Sequence, residues 1–95
     1  MKKPDVLQLN LKRKFFDEIV RDKKHFEYRE YKSYWKTRLE GRDYKAINFR
    51  NGYSPDAPEM LVEFRGLGRD GKSRNADYKI KLGRILKLKR WPPKD

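Results

Sequence analysis

Apolar or aromatic residues alternate one for one with polar ones in short segments along this chain, a period that fits extended backbone with one buried face. In the first segment Val6, Leu7, Leu9 and Leu11 alternate with Gln8, Asn10 and Lys12, predicting an opening strand that buries Leu7, Leu9 and Leu11. From Arg13 the period changes: Phe15, Phe16, Ile19 and Val20 form the stripe of a short helix running to about Asp22. Asp17 and Glu18 are read near its beginning, where the helix dipole favours anions. Strand periodicity returns from about Lys24 to Tyr31. Ser33 is then placed to cap a second short helix with Tyr34, Trp35 and Leu39, which Gly41 stops.

Three more strands follow. Tyr44 to Phe49 carries Ile47 and Phe49 on one face and ends at the turn dipeptide Asn51-Gly52. Met60 to Leu67 turns Met60, Val62 and Phe64 inward and Glu63 and Arg65 outward, with Gly66 and Gly68 breaking it. After a polar loop from Arg69 to Asp77, Tyr78, Ile80 and Leu82 alternate with lysines. Gly83 suggests a bulge, and Ile85, Leu86 and Leu88 continue the strand until Trp91-Pro92-Pro93. Five strands and two helices are too few for two packed sheets. They predict one strongly bent sheet closing toward a small α+β barrel, which removes exposed edges. With no internal repeat or linker, residues 1–95 read as one domain with its core at about 6–91.

A charged fraction of 42% beside an apolar fraction of 36% points toward disorder, but five Phe, six Tyr and two Trp spread along the chain supply a core. The formal charge of +12 raises the local concentration of any polyanion, so nucleic acid is the first partner to consider. Keeping a small domain in solution is the alternative role for that charge. With no cysteine and one histidine, neither disulfide nor thiol chemistry is available, and neither a metal nor another cofactor is expected. No apolar run approaches the ~20 residues of a membrane span. The start Met1-Lys2-Lys3-Pro4-Asp5 leads into an alternating segment and not into a signal-peptide stretch, so a cytoplasmic, membrane-free protein is expected.

Lys23 to Glu30 is where chemistry concentrates. The alternation sends Phe26 and Tyr28 to one face, toward the core, and Glu27 with Arg29 to the other, toward a ligand. Arg29 offers a planar fork of donors for a phosphate or a purine edge, and Glu27 can accept from an exocyclic amine. The plainer alternative is that the two simply pair with each other. Lys24 is out of phase with them unless the strand begins after it, and His25 reads as an exposed bystander. Arg50 and Asn51 end the third strand, where the turn either offers backbone donors to a phosphate or is only a turn. Tyr31 is placed at the cleft margin and Trp35 in the core. Lys79, Lys81, Lys87 and Lys89 form an outward stripe that is either a track for a nucleic-acid backbone or a solvated face.

The order of elements together with Lys24-x-x-Glu27-x-Arg29 resembles the ASCH family of small PUA-like β-barrels, whose signature is Gly-x-Lys-x-x-Glu-x-Arg. Asp22 stands at the glycine position. The likeness extends to Leu9-x-Leu11, to Gly41-Arg42-Asp43 before the third strand and to the closing run from Lys81 to Leu86, covering about Val6 to Trp91. It implies a five-stranded PUA-like barrel that binds RNA or a nucleotide beside the signature, at Lys24, Glu27, Arg29, Tyr31, Arg50 and Asn51. It also implies an alternative, since some members hydrolyse N4-acetylcytidine and others are linked to ribonuclease activity. In that hydrolase reading Lys24 and Glu27 are the catalytic candidates. The amidohydrolase pattern is a Lys-x-x-Thr pair with a distant glutamate. Here Glu27 replaces the threonine and lacks the hydroxyl of an acyl-enzyme route, so a water attack with Glu27 as general base is what remains. Glu63 is the carboxylate nearest the distant position. A third reading is a module whose basic face meets an acidic protein partner.

Overall fold

The structure, a computed structural model, describes residues 5–93; the Met1-Lys2-Lys3-Pro4 start lies outside the described residues. The alternating leucines form β1 (Val6–Asn10), with Leu7 and Leu9 in the core and Leu11 following them there. The apolar stripe forms α1 (Arg13–Val20), burying Phe16 and Ile19. Then come β2 (Phe26–Arg29), α2 (Ser33–Leu39), β3 (Ala46–Arg50), β4 (Glu59–Arg69) and β5 (Tyr78–Lys89). The strands make one mixed sheet in the order β1-β3-β4-β5-β2, curled into a half-barrel. β1 runs parallel to β3, from Val6 opposite Ala46 to Asn10 opposite Arg50, and the other neighbours are antiparallel. Met60 and Val62 of β4, Ile47 and Phe49 of β3 and Ile80 of β5 fill the inside with Tyr78 and Phe16. No helix of the described residues is long and apolar enough to cross a membrane.

Several expectations need correction. The sheet does not close, because β1 and β2 are its two ends and do not pair with each other. Between these ends an open seam remains. On β2 the expected aromatic core face is reversed: Glu27 is 5% exposed and Tyr28 39% exposed. The reason is the position of β2 at the seam, where the inward face meets polar groups and the outward face holds Phe26 under the Lys79 ammonium, 4.3 Å from its ring centre. Ser33 is the first residue of α2 and not its cap; Lys32 occupies that place and no side chain caps the helix. Asp17 falls beyond the first turn of α1, which carries no acid; its carboxylate accepts from the Trp91 indole N–H at 2.7 Å instead.

Gly66 and Gly68 do not end β4, which runs through both to Arg69, with Gly66 at φ 149°, in the positive-φ region that favours glycine. The pairing of β4 with β5 is irregular at three places: Leu86 has no partner between Leu61 and Val62, the single residue Glu63 stands opposite two, Gly83 and Arg84, and Arg65 has no partner between Phe64 and Gly66. A Cβ on Gly83 would lie 2.7 Å from Glu63 Oε1, so glycine leaves room for that carboxylate to accept the Arg84 backbone N–H at 2.8 Å. This hydrogen bond, with the charges of Arg65 and Arg84, holds the Glu63 carboxyl below its ordinary range against the opposing effect of desolvation.

Candidate functional site

α1 ends in a tight reversal. The Lys23 N–H donates to the Glu18 carbonyl at 2.8 Å and the Asp22 N–H to the Ile19 carbonyl at 3.0 Å, with Asp22 left-handed at φ 62°. These paired bonds stop the helix and turn the chain toward β2. Because β2 starts only at Phe26, Lys24 precedes the strand and is free of its alternation. Its side chain folds back so that Nζ lies 3.4 Å from Glu27 Oε1, between the rings of Phe15 and Tyr28 at 5.3 Å from each centre.

Glu27 Oε2 accepts from Arg29 Nη2 at 2.6 Å, so the carboxylate is held between two cations. Arg29 Nη2 also donates across the seam to the Asn10 carbonyl of β1 at 3.2 Å. The guanidinium carbon lies 5.0 Å from the Trp35 ring centre, and the buried Nε has no hydrogen-bond partner among the described residues. A guanidinium with donors to spare beside an aromatic ring suits a phosphate or a stacked base.

Arg29, Asn10, Leu11 and Lys12 are shared by two clefts along the seam. One, of about 380 Å³, is completed by Phe15, Lys24, Glu27 and Tyr28. The other, of about 500 Å³, is completed by Gln8, Leu9, Tyr34, Trp35, Arg50 and Tyr53. Their common floor is fixed by amide side chains. Asn10 Nδ2 donates to the Gly52 carbonyl at 3.0 Å and Asn10 Oδ1 accepts the Gly52 N–H at 3.3 Å, while Asn51 Nδ2 donates to the Leu11 carbonyl at 2.9 Å. These bonds staple the end of β1 to the turn after β3.

Of the residues singled out in the sequence, Lys24, Glu27 and Arg29 converge and Arg50 lines the larger cleft. Arg50 Nη2 donates to the Ser54 carbonyl at 2.6 Å, and its Nε lies 3.4 Å from Glu59 as an ion contact without a hydrogen bond. Burial pushes the Glu59 carboxyl up. Hydrogen bonds from Asn48 and Arg90 and the charges of Arg50 and Arg90 outweigh that and hold it below its ordinary range. Asn51 lines neither cleft, and its backbone N–H is taken by the Pro58 carbonyl at 3.0 Å. Tyr31 lies elsewhere, its ring 5.4 Å from that of Tyr78 and under the Arg69 guanidinium at 3.9 Å. Trp35, read as core, is half-buried and doubles as cleft wall.

The sequence reading did not single out Gln8, Asn10, Lys12 or Tyr53, which come from the end of β1 and the turn after β3. Gln8, Asn10 and Lys12 are the polar half of the β1 alternation, a local signal that they share a face, whereas only the parallel β1–β3 pairing brings Tyr53 beside them. Among the described residues no group of three or more His, Cys, Asp or Glu is placed to hold a metal ion. No protein-family model, curated protein or solved structure matches the chain.

Proposed function

We propose that this chain is a PUA-like domain of the ASCH type that binds RNA or a nucleotide at the seam of its half-barrel. Supporting this above all is the meeting of Lys24, Glu27 and Arg29 in one concave site, with aromatic rings on both sides of the cations. Arg29 and Lys24 supply charge, Glu27 accepts from a base amine, and Trp35 and Tyr34 offer ring faces. The left-handed φ of Asp22 adds weight. It is the conformation that the signature's glycine provides without strain, and aspartate is among the few other residues that tolerate it. Binding is favoured over covalent hydrolysis because, among the described residues, neither cleft is lined by a serine or threonine to act as nucleophile.

The test is a fluorescence-anisotropy titration of a labelled single-stranded RNA at several salt concentrations. Affinity falls linearly on a log–log plot, with a slope of about −0.7 per contacted phosphate. Arg29→Ala weakens it by about 1–3 kcal/mol while circular dichroism reports an intact fold. Salt-independent binding, or equal affinity in the variant, rules the reading out.

A further inference from the structure

β2 is short, and among the described residues it pairs with β5 only from Tyr78 to Lys81, with the His25 carbonyl accepting the Leu82 N–H at 2.9 Å just beyond. From there to Lys89, β5 is hydrogen-bonded to β4 on one side and, among the described residues, to no strand on the other. The inner face of the sheet registers this missing neighbour. Val62 and Met60 of β4 are 0% exposed, whereas Ile85 and Leu88, their partners on β5, are 38% and 37% exposed. On the opposite face Lys87 and Lys89 stand beside Leu61 and Glu59, and both lysines are exposed. A groove of about 400 Å³ follows the start of this edge, lined on the helix side by Ile19 and Val20 and on the strand side by Leu82, Arg84 and Ile85.

Ile85 and Leu88 lie on the inner face of this open edge, Leu86 stands at a register shift and is 51% exposed, and Lys87 and Lys89 lie on the outer face, which together specify what can complete it. We infer that the edge of β5 from Arg84 to Lys89 is a docking site for an acidic peptide, which adds as an extra strand. The incoming strand pairs its backbone with the unpaired edge and sets apolar side chains over Ile85 and Leu88, while glutamates or aspartates face Lys87 and Lys89. Charge selects this occupant. A second copy of the chain laid on the same edge brings lysine and arginine against lysine and arginine, which is how edge lysines prevent self-pairing. A strand of opposite charge meets no such barrier. The edge from Arg84 to Lys89 lines neither seam cleft, although the groove at its start shares Lys24 with the smaller one, and the inference does not rest on nucleic-acid binding there.

The experiment titrates the full chain, isotopically labelled, with a capped peptide alternating valine and glutamate and long enough to span Arg84–Lys89. Shift changes and slowed amide exchange are expected at residues 84–89, with Asn10, Lys12 and Arg29 of the seam unmoved. The double variant Lys87→Glu, Lys89→Glu weakens binding on the order of tenfold, and Arg29→Ala leaves it unchanged. A peptide alternating valine with lysine does not bind. The inference is overturned by absence of binding, by equal binding of the lysine peptide, by self-association in place of peptide uptake, or by shifts at the seam instead of at residues 84–89. It is likewise overturned if single-stranded RNA protects this edge and the acidic peptide does not.

Discussion

Glu27 sits between Lys24 and Arg29 with one oxygen turned to each, in a place where all three side chains are largely shielded from water. Glutamine keeps one acceptor oxygen but sets an amide NH2 donor against the other cation, so two cations face a neutral side chain with a single acceptor between them. Glu27→Gln is therefore expected to destabilise the fold by about 1–3 kcal/mol, read as a lower midpoint in urea. An unchanged midpoint would show that the three side chains are not coupled. Asp22 carries the opposite liability. Its left-handed backbone at the end of α1 is tolerated by aspartate but still less favourable than for glycine, and its side chain is exposed. Asp22→Gly removes that disadvantage, so a gain of about 0.5–1 kcal/mol is expected, visible as a raised melting temperature. A lowered melting temperature would mean that the Asp22 side chain, 3.7 Å from His25, matters more than its backbone.

β4 illustrates how an element can survive residues that should end it. It passes through Gly66 only because that residue adopts φ 149°, so Gly66→Ala is expected to cost about 1–3 kcal/mol although nothing lies within 4 Å of where the Cβ would stand. Thermal unfolding measures this, and a neutral result would refute a backbone origin. The same contrast explains what was legible in the sequence. β1, the first half of β4 and β3 from Ile47 onward bury every second residue against a single core, and their alternation identified Leu7, Leu9, Ile47, Phe49, Met60 and Val62 as inner. β2 misled because alternation gives the two faces without saying which is inward; at an open seam the charged face can be the inward one. Lys24, Glu27 and Arg29 were visible as a local spacing, whereas Tyr53 and the wall role of Trp35 depend on a long crossover that no neighbouring residues encode. The half-exposed rim at Ile85 and Leu88 follows from the shortness of β2, a property of a different segment.

Across the whole molecule, charge sets the response to pH and to salt. The Trp91 indole hydrogen bond, helped by Arg13, holds the Asp17 carboxyl below its ordinary range despite the opposing effect of burial, and the carboxyls of Glu59 and Glu63 are also lowered. Carboxyls lowered in the folded state contribute stability that is present above their unfolded values. It is lost as pH falls below about 4, where the folded state must take up protons that the unfolded chain accepts earlier. At the alkaline end, burial, with the hydrogen bond from its hydroxyl to Glu40, pushes Tyr78 from 10.0 to about 12. That contribution is complete below pH 10 and disappears as pH rises toward 12. Urea midpoints across pH should form a plateau that falls at both ends, and Tyr78→Phe should flatten the alkaline fall; an unaltered alkaline limb would remove Tyr78 as its cause. The central claim concerns where a polyanion settles on a chain of net charge +12, since basic residues lie on several faces. Mapping amide and indole NMR shifts of the full chain during titration with a short single-stranded RNA tests it most directly. The account predicts shifts concentrated at Asn10, Lys12, Lys24, Glu27, Arg29 and the Trp35 indole; shifts confined to the stripe of Lys79, Lys81, Lys87 and Lys89, or none at all, would contradict it.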